Sequence, residues 1–265
     1  MDSIMTTRTP FIAGNWKMNL DHLQSIAFVQ KLAWILKDAK LDYGSVEVAI
    51  FPPFTDLRSV QTLISADKLP LKFGAQDVSA HDSGAYTGEI SGAFLRALDC
   101  EYVIIGHSER RTLHNETDEQ LAAKVAAAIK HGLVPVLCVG ETAADLAEHG
   151  PSAVPVAQLR AALSSATVGA NIVVAYEPVW AIGSGQAATP AQAEQVAAQL
   201  RATLVELIGE EAASATRILY GGSVKANNIA GFMRENNLDG VLVGGASLDL
   251  AEFSSISQFQ NHVGT

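Results

Sequence analysis

Eight short apolar runs recur along this 265-residue chain, and they limit what it can fold into more than any other feature. They are FIAGN from Phe11, VEVAIF from Val46, LKFGAQ from Leu71, YVIIGH from Tyr102, VPVLCV from Val134, IVVAYE from Ile172, RILYGG from Arg217 and GVLVGG from Gly240. A strand wetted on one face would alternate apolar with polar. These runs are apolar on consecutive positions, as parallel strands covered on both faces are.

Helical stretches with clear punctuation separate them. Thr189-Pro190-Ala191-Gln192 reads as an N-cap, a proline in the first turn and the glutamine of a capping box, and the stripe Val196, Leu200, Leu204, Leu207, Ile208 ends at Gly209. Thr117 and Gln120 open another helix, running through Leu121, Val125 and Ile129 to Gly132. About eight strand-then-helix units without a charged or Pro/Gly-rich linker give an α/β fold in one domain, a single (β/α)8 barrel over residues 11–262. Residues 1–10 read as a flexible N-terminal extension. An open doubly wound sheet is the alternative; polar and glycine-rich residues piled just after strands favour the barrel, whose loops share one mouth.

Composition excludes several classes. With 48% hydrophobic and 17% charged residues the chain is globular, not disordered. No stretch nears the roughly 18 uninterrupted apolar residues of a membrane span. A net charge of -10 repels nucleic acid and acidic membranes, so an anionic ligand needs local positive groups. Two thiols, Cys100 and Cys138, make no disulfide framework and suit a reduced, cytoplasmic setting as strand-borne core fillers.

Four strand ends carry groups that the body of a strand would not tolerate: GNWKMN at Gly14, IIGHSERR at Ile104, AYEPVWAIGSG at Ala175, and YGGSV with LVGGAS near the end. These words, spread over nearly the whole chain, closely resemble the triosephosphate isomerase family. The resemblance implies a TIM barrel and a cofactor-independent aldose-ketose isomerase that interconverts dihydroxyacetone phosphate and D-glyceraldehyde 3-phosphate through an enediol(ate), in glycolysis and gluconeogenesis. It also implies Lys17, His107 and Glu177 as the catalytic set, with Asn15 supporting.

Each assignment has a physical reading. An isolated glutamate at a strand end is usually salt-bridged, but Glu177 follows an apolar strand and precedes Pro178 and Trp180, so desolvation is expected to raise its pKa and strengthen it as a base. His107 stands where a short helix can begin, and a helix N-terminus opposes imidazolium; a neutral, electrophilic histidine is what the resemblance itself implies, this family being a standard case of that chemistry. Lys17 can offset phosphate and enediolate charge. Glu109 and Arg110 read as an ion-pair shell orienting Lys17 and His107. Gly183, Ser223, Gly244 and Gly245 supply N–H groups for a phosphate cradle, since barrels often bind phosphate after the last two strands.

Two decoys are set aside. Gly183 to Ala188 fits GxGxxA but lies several residues beyond its strand, so no nicotinamide site is expected, and His107-Ser108-Glu109 lacks the PCxxC of a zinc deaminase, so no metal is. Other sugar-phosphate barrels want a metal or paired carboxylates, and a barrel without catalysis would lack one of Lys17, His107 or Glu177. The run from Glu141 to Gln158 is short and proline-rich for the family, leaving the next helix start open. The long polar loop Gln76 to Gly88 implies, through the resemblance, a homodimer in which Thr87 approaches Asn15 and Glu109 across a two-fold axis. Pro178 to Ala188 reads as a lid guarding the intermediate, with Gln186-Ala187-Ala188 where the family commonly shows a lysine.

Overall fold

The computed structural model describes residues 8–163, 169, 171–182 and 187–263. Eight parallel strands close into a barrel in sequence order: β1 Phe11–Asn15, β2 Glu47–Phe51, β3 Lys72–Ala75, β4 Tyr102–Ile105, β5 Val134–Val139, β6 Val173–Tyr176, β7 Arg217–Tyr220 and β8 Gly240–Val243. Closure is visible in β1, where Phe11 registers with Glu47 of β2 on one side and Gly240 of β8 on the other.

The consecutive apolar positions now have their reason. Along each strand alternate side chains enter two separate cores. Phe11, Ala13, Ala49, Phe51, Tyr102, Ile104, Val136, Cys138, Val173, Ala175, Leu219 and Leu242 fill the barrel interior. Ile12, Val48, Ile50, Val103, Ile105, Leu137, Val174, Ile218 and Val241 instead join the layer beneath the helices. Inside, β3 contributes only Gly74, where a Cβ would lie 2.6 Å from the Phe51 ring and 2.5 Å from the Tyr102 carbonyl. The Phe51 ring and the Tyr102 backbone thus occupy the space the glycine leaves. Cys138 lies in β5, but Cys100 precedes β4 instead of lying on a strand; both are buried and free.

The helices obey the punctuation. α8, Pro190–Ile208, starts with the Thr189–Gln192 capping box and buries Ala193, Val196, Ala197, Leu200, Leu204 and Ile208. Such a cap contributes about 1 kcal/mol and each large aliphatic side chain about 1.5–3 kcal/mol, so packing, not capping, fixes the helix. α5, Asp118–Lys130, has the Thr117–Gln120 box and ends where Gly132 turns to φ +72. After β5 the chain forms α6, Ala143–His149, capped by Thr142 with Asp145, and then α7, Ala153–Ala162. At the N-terminus, Arg8 bonds Asp239 (2.5 Å) and the carbonyls of Ser214 and Asn236.

Candidate active site

The C-terminal ends of the strands supply the site. Asn15 closes β1, and two residues on Lys17 holds a left-handed φ of 53°. For a lysine that conformation costs on the order of 1–3 kcal/mol, and it persists because neighbours enforce it. Asn15 Oδ1 accepts from the Lys17 N–H (3.0 Å), while Gln76 Nε2 donates to the Lys17 carbonyl (2.7 Å) and to that of Phe51 (2.8 Å). The Lys17 ammonium meets Glu109 Oε1 at 2.5 Å. Its stalk crosses Gly244, where a Cβ would lie 3.4 Å from Lys17 Cε.

Gly106, at φ +72, turns the chain out of β4 so that His107 becomes the N-cap of α4, Ser108–Leu113. The imidazole Nδ1 accepts from the Glu109 N–H at 3.2 Å. In a neutral ring that bond assigns the hydrogen to Nε2. Nε2 lies 2.9 Å from Glu177 Oε1. The approach is close but not aligned as a hydrogen bond, so this buried oxygen keeps no hydrogen-bond partner. The other oxygen, Oε2, accepts from the Ser108 N–H (2.8 Å). Glycines make the room: a Cβ on Gly140 would meet the Glu177 carbonyl at 1.8 Å, and one on Gly221 would meet Glu177 Cγ at 2.9 Å.

Two electrostatic expectations are corrected here. Burial does act to raise the Glu177 pKa, but the facing His107 ring and the bonds from Ser108 outweigh it and hold the carboxyl below its ordinary value. Burial likewise acts to lower His107, yet the Glu177 carboxylate, helped by Glu109, raises it. Each group offsets the other's desolvation, an interaction that neither residue's own surroundings reveal. A third correction concerns Arg110. It turns away from Lys17 and His107 to bond Asp77 (2.9 Å) and Glu116 (2.7 Å), both of which also hold Lys124. Glu109 alone of that pair reaches the site.

Asn15, Lys17, His107, Glu109, Glu177, Ser223, Gly244 and Gly245 all line one cavity of about 440 Å³. Gly183, and with it residues 183–186 of the expected lid, lies outside the described residues. The short turn Gly245–Leu248 begins at this cavity, and the first N–H groups of such a turn have no partner within it. Three contributors escaped the sequence reading. Gly221 gives Glu177 space, and Lys225 lines the cavity. Glu141, buried just after β5, accepts from the Tyr176 hydroxyl (2.9 Å) and Trp180 Nε1 (2.7 Å). A carboxylate two positions past the end of an apolar strand was the available signal for Glu141. The glycine beside it, Gly140, has its reason only in a contact with Glu177.

The cavity therefore joins an ionised, buried carboxylate with one unpartnered oxygen, an imidazole N–H, a cation and a rim of backbone N–H groups. A family model described as triosephosphate isomerase matches residues 10–260. The chain is 74% identical over 256 residues to the triosephosphate isomerase of Leifsonia xyli subsp. xyli, covering 97% of this chain and 99% of that protein. It is 56% identical over 260 residues to that of Streptomyces coelicolor, covering 97% and 100%. A crystal structure of triosephosphate isomerase from Bartonella henselae superposes with a TM-score of 0.84 at 35% identity, over 96% of this chain and 99% of that one.

Proposed function

This chain belongs to the triosephosphate isomerase family, and from that premise we propose how its own residues interconvert dihydroxyacetone phosphate and D-glyceraldehyde 3-phosphate. The Glu177 carboxylate removes a proton from C1 of dihydroxyacetone phosphate. His107 Nε2–H hydrogen-bonds the C2 oxygen and transfers its proton there, and the ring then recovers a proton from the C1 hydroxyl. Glu177 returns its proton to C2, which completes the aldose with no net gain or loss. Lys17, its backbone held by Asn15, offsets the negative charge of the intermediate. Ser223, Gly244 and Gly245 present N–H groups to the phosphate.

The observation that carries this reading is the Glu177 Oε1–His107 Nε2 contact of 2.9 Å inside a shared cavity. Substrate entering between the two would separate the charges that now offset burial. Desolvation would then dominate on both, making Glu177 a stronger base and keeping His107 neutral. Glu177→Gln keeps the shape and removes the base, so kcat is expected to fall by at least ~10² to 10⁴ with the melting transition preserved. A near wild-type kcat would overturn the assignment.

The same reading extends to assembly as a homodimer. A second cavity of about 450 Å³ shares Asn15, Lys17, His107 and Glu109 with the first and adds Met18, Leu113 and His114. Met18 and Leu113 are 94% and 73% exposed, and Tyr86 and Phe54 are exposed at adjoining cavities that also include Arg110. An apolar rim of this kind suits burial against a second copy, with the loop from Gln76 to Gly88 and its Thr87 as the inserted element. Leu113→Asp is expected to lower both the sedimentation coefficient and kcat. A monomer with full activity at assay concentration would contradict it. The setting we propose is the cytoplasm, on the two buried free thiols; no helix among the described residues is long and apolar enough to cross a membrane.

A further inference from the structure

Four formally charged side chains line the catalytic cavity: Lys17, Glu109, Glu177 and Lys225. Lys17 is already bonded to Glu109 at 2.5 Å. Glu177 is held in its ionised form. Without Lys225 the lining would carry one net negative charge, in a chain whose formal charge is -10, against a phosphate ester that is close to a dianion at neutral pH. Lys225 brings the lining to neutrality. It is exposed, and among the described residues its ammonium makes no ion pair or hydrogen bond.

Its backbone, by contrast, is fixed. Asn228 Oδ1 accepts from the Lys225 N–H (2.8 Å), and Asn228 Nδ2 donates to the Ser223 carbonyl (3.2 Å), which ties Lys225 to the residue two positions earlier in the phosphate rim. Glu252, the carboxylate bonded to this loop, accepts from the Ala226 N–H (3.0 Å) and leaves the lysine unneutralised. We propose that Lys225 is a capture residue: an uncommitted cation at the cavity mouth that attracts the substrate phosphate and passes it to the N–H groups of Ser223, Gly244 and Gly245. The inference rests on the phosphate reading of those three residues. A long-range attraction acts on encounter, so it raises kcat/KM and leaves the chemical step alone, and it is screened by salt.

Steady-state kinetics of Lys225→Gln and Lys225→Arg with glyceraldehyde 3-phosphate, at ionic strengths from about 0.01 to 0.3 M where the Debye length falls from about 30 Å to below 10 Å, test this. The expected result for Lys225→Gln is a kcat/KM reduced about three- to tenfold at low ionic strength, converging on wild type at high, while kcat holds. Lys225→Arg should retain the wild-type salt dependence. Turnover of glyceraldehyde, which lacks the phosphate, should not respond to either substitution. An unchanged kcat/KM and salt slope in Lys225→Gln would overturn the proposal. So would an equal, salt-independent fall in kcat and kcat/KM, which marks a structural role. Failure of the underlying phosphate reading is seen separately in the wild type, where inorganic phosphate would then not compete with substrate.

Discussion

The two rims of this barrel are built from the same eight strands and treat charge in opposite ways. At the N-terminal rim, the first residues of β1, β2, β4 and β7 are Phe11, Glu47, Tyr102 and Arg217. Arg217 donates to Glu47 Oε1 (3.1 Å) and to the Tyr102 hydroxyl (2.9 Å), Tyr102 donates to the same Glu47 oxygen, and the guanidinium lies 4.6 Å from the centre of the Phe11 ring. The charges there are turned onto one another and onto rings. At the C-terminal rim, Glu177 keeps an unpartnered buried oxygen, Lys17 keeps a left-handed φ, and glycines replace side chains around both. One rim is a closed network that seals the interior. The other holds groups in states that folding alone does not favour, and substrate is what would complete them.

If that contrast is right, substitutions at the two rims should fail in different measurements. The largest effect is expected from Arg217→Met, which leaves the Glu47 carboxylate without its cation. Breaking a buried pair costs about 3–5 kcal/mol, and because Glu47 retains some water the loss should sit near 3 kcal/mol in denaturant unfolding, with kcat per folded molecule unchanged. A stable variant with impaired kcat would erase the distinction between the rims. The smaller effect is expected from Gly221→Ala. A Cβ 2.9 Å from Glu177 Cγ must push the carboxylate aside, and a displacement approaching 1 Å lowers kcat by about ten- to a hundredfold with little change in unfolding. If stability fell and kcat held, Gly221 would be serving the fold instead of the base.

The same contrast explains what the sequence disclosed. Strands β1 to β8 were legible because apolar runs report burial on both faces, and α5 and α8 because their capping boxes are local. The residues proposed for the site, Asn15, Lys17, His107, Glu109, Glu177, Ser223, Gly244 and Gly245, stand out as words at strand ends, and all of them line one cavity. What local reading missed depends on pairs distant in the chain. Desolvation implied a raised Glu177 and a helix N-terminus a lowered His107; their contact across 2.9 Å reverses both directions. Arg110 follows Glu109 directly, yet α4 turns it toward Asp77 and Glu116, partners that spacing could not assign. Gly140 and Gly221 have their reason in the volume of Glu177, which no local word records.

The central claim is that one buried carboxylate moves a proton between adjacent carbons, and hydrogen exchange in deuterated water tests it most directly. A proton parked on Glu177 can exchange with solvent before it is returned, whereas a hydride passed from carbon to carbon cannot. Dihydroxyacetone phosphate incubated in D2O and followed by proton NMR should gain deuterium at C1, and its product at C2, with the wild-type chain. With Glu177→Gln both incorporations should slow at least a hundredfold, in line with the loss of a general base, while the variant melts as a folded protein. Isomerisation by the wild type with no deuterium in substrate or product, or incorporation by Glu177→Gln at the wild-type rate, would contradict the account.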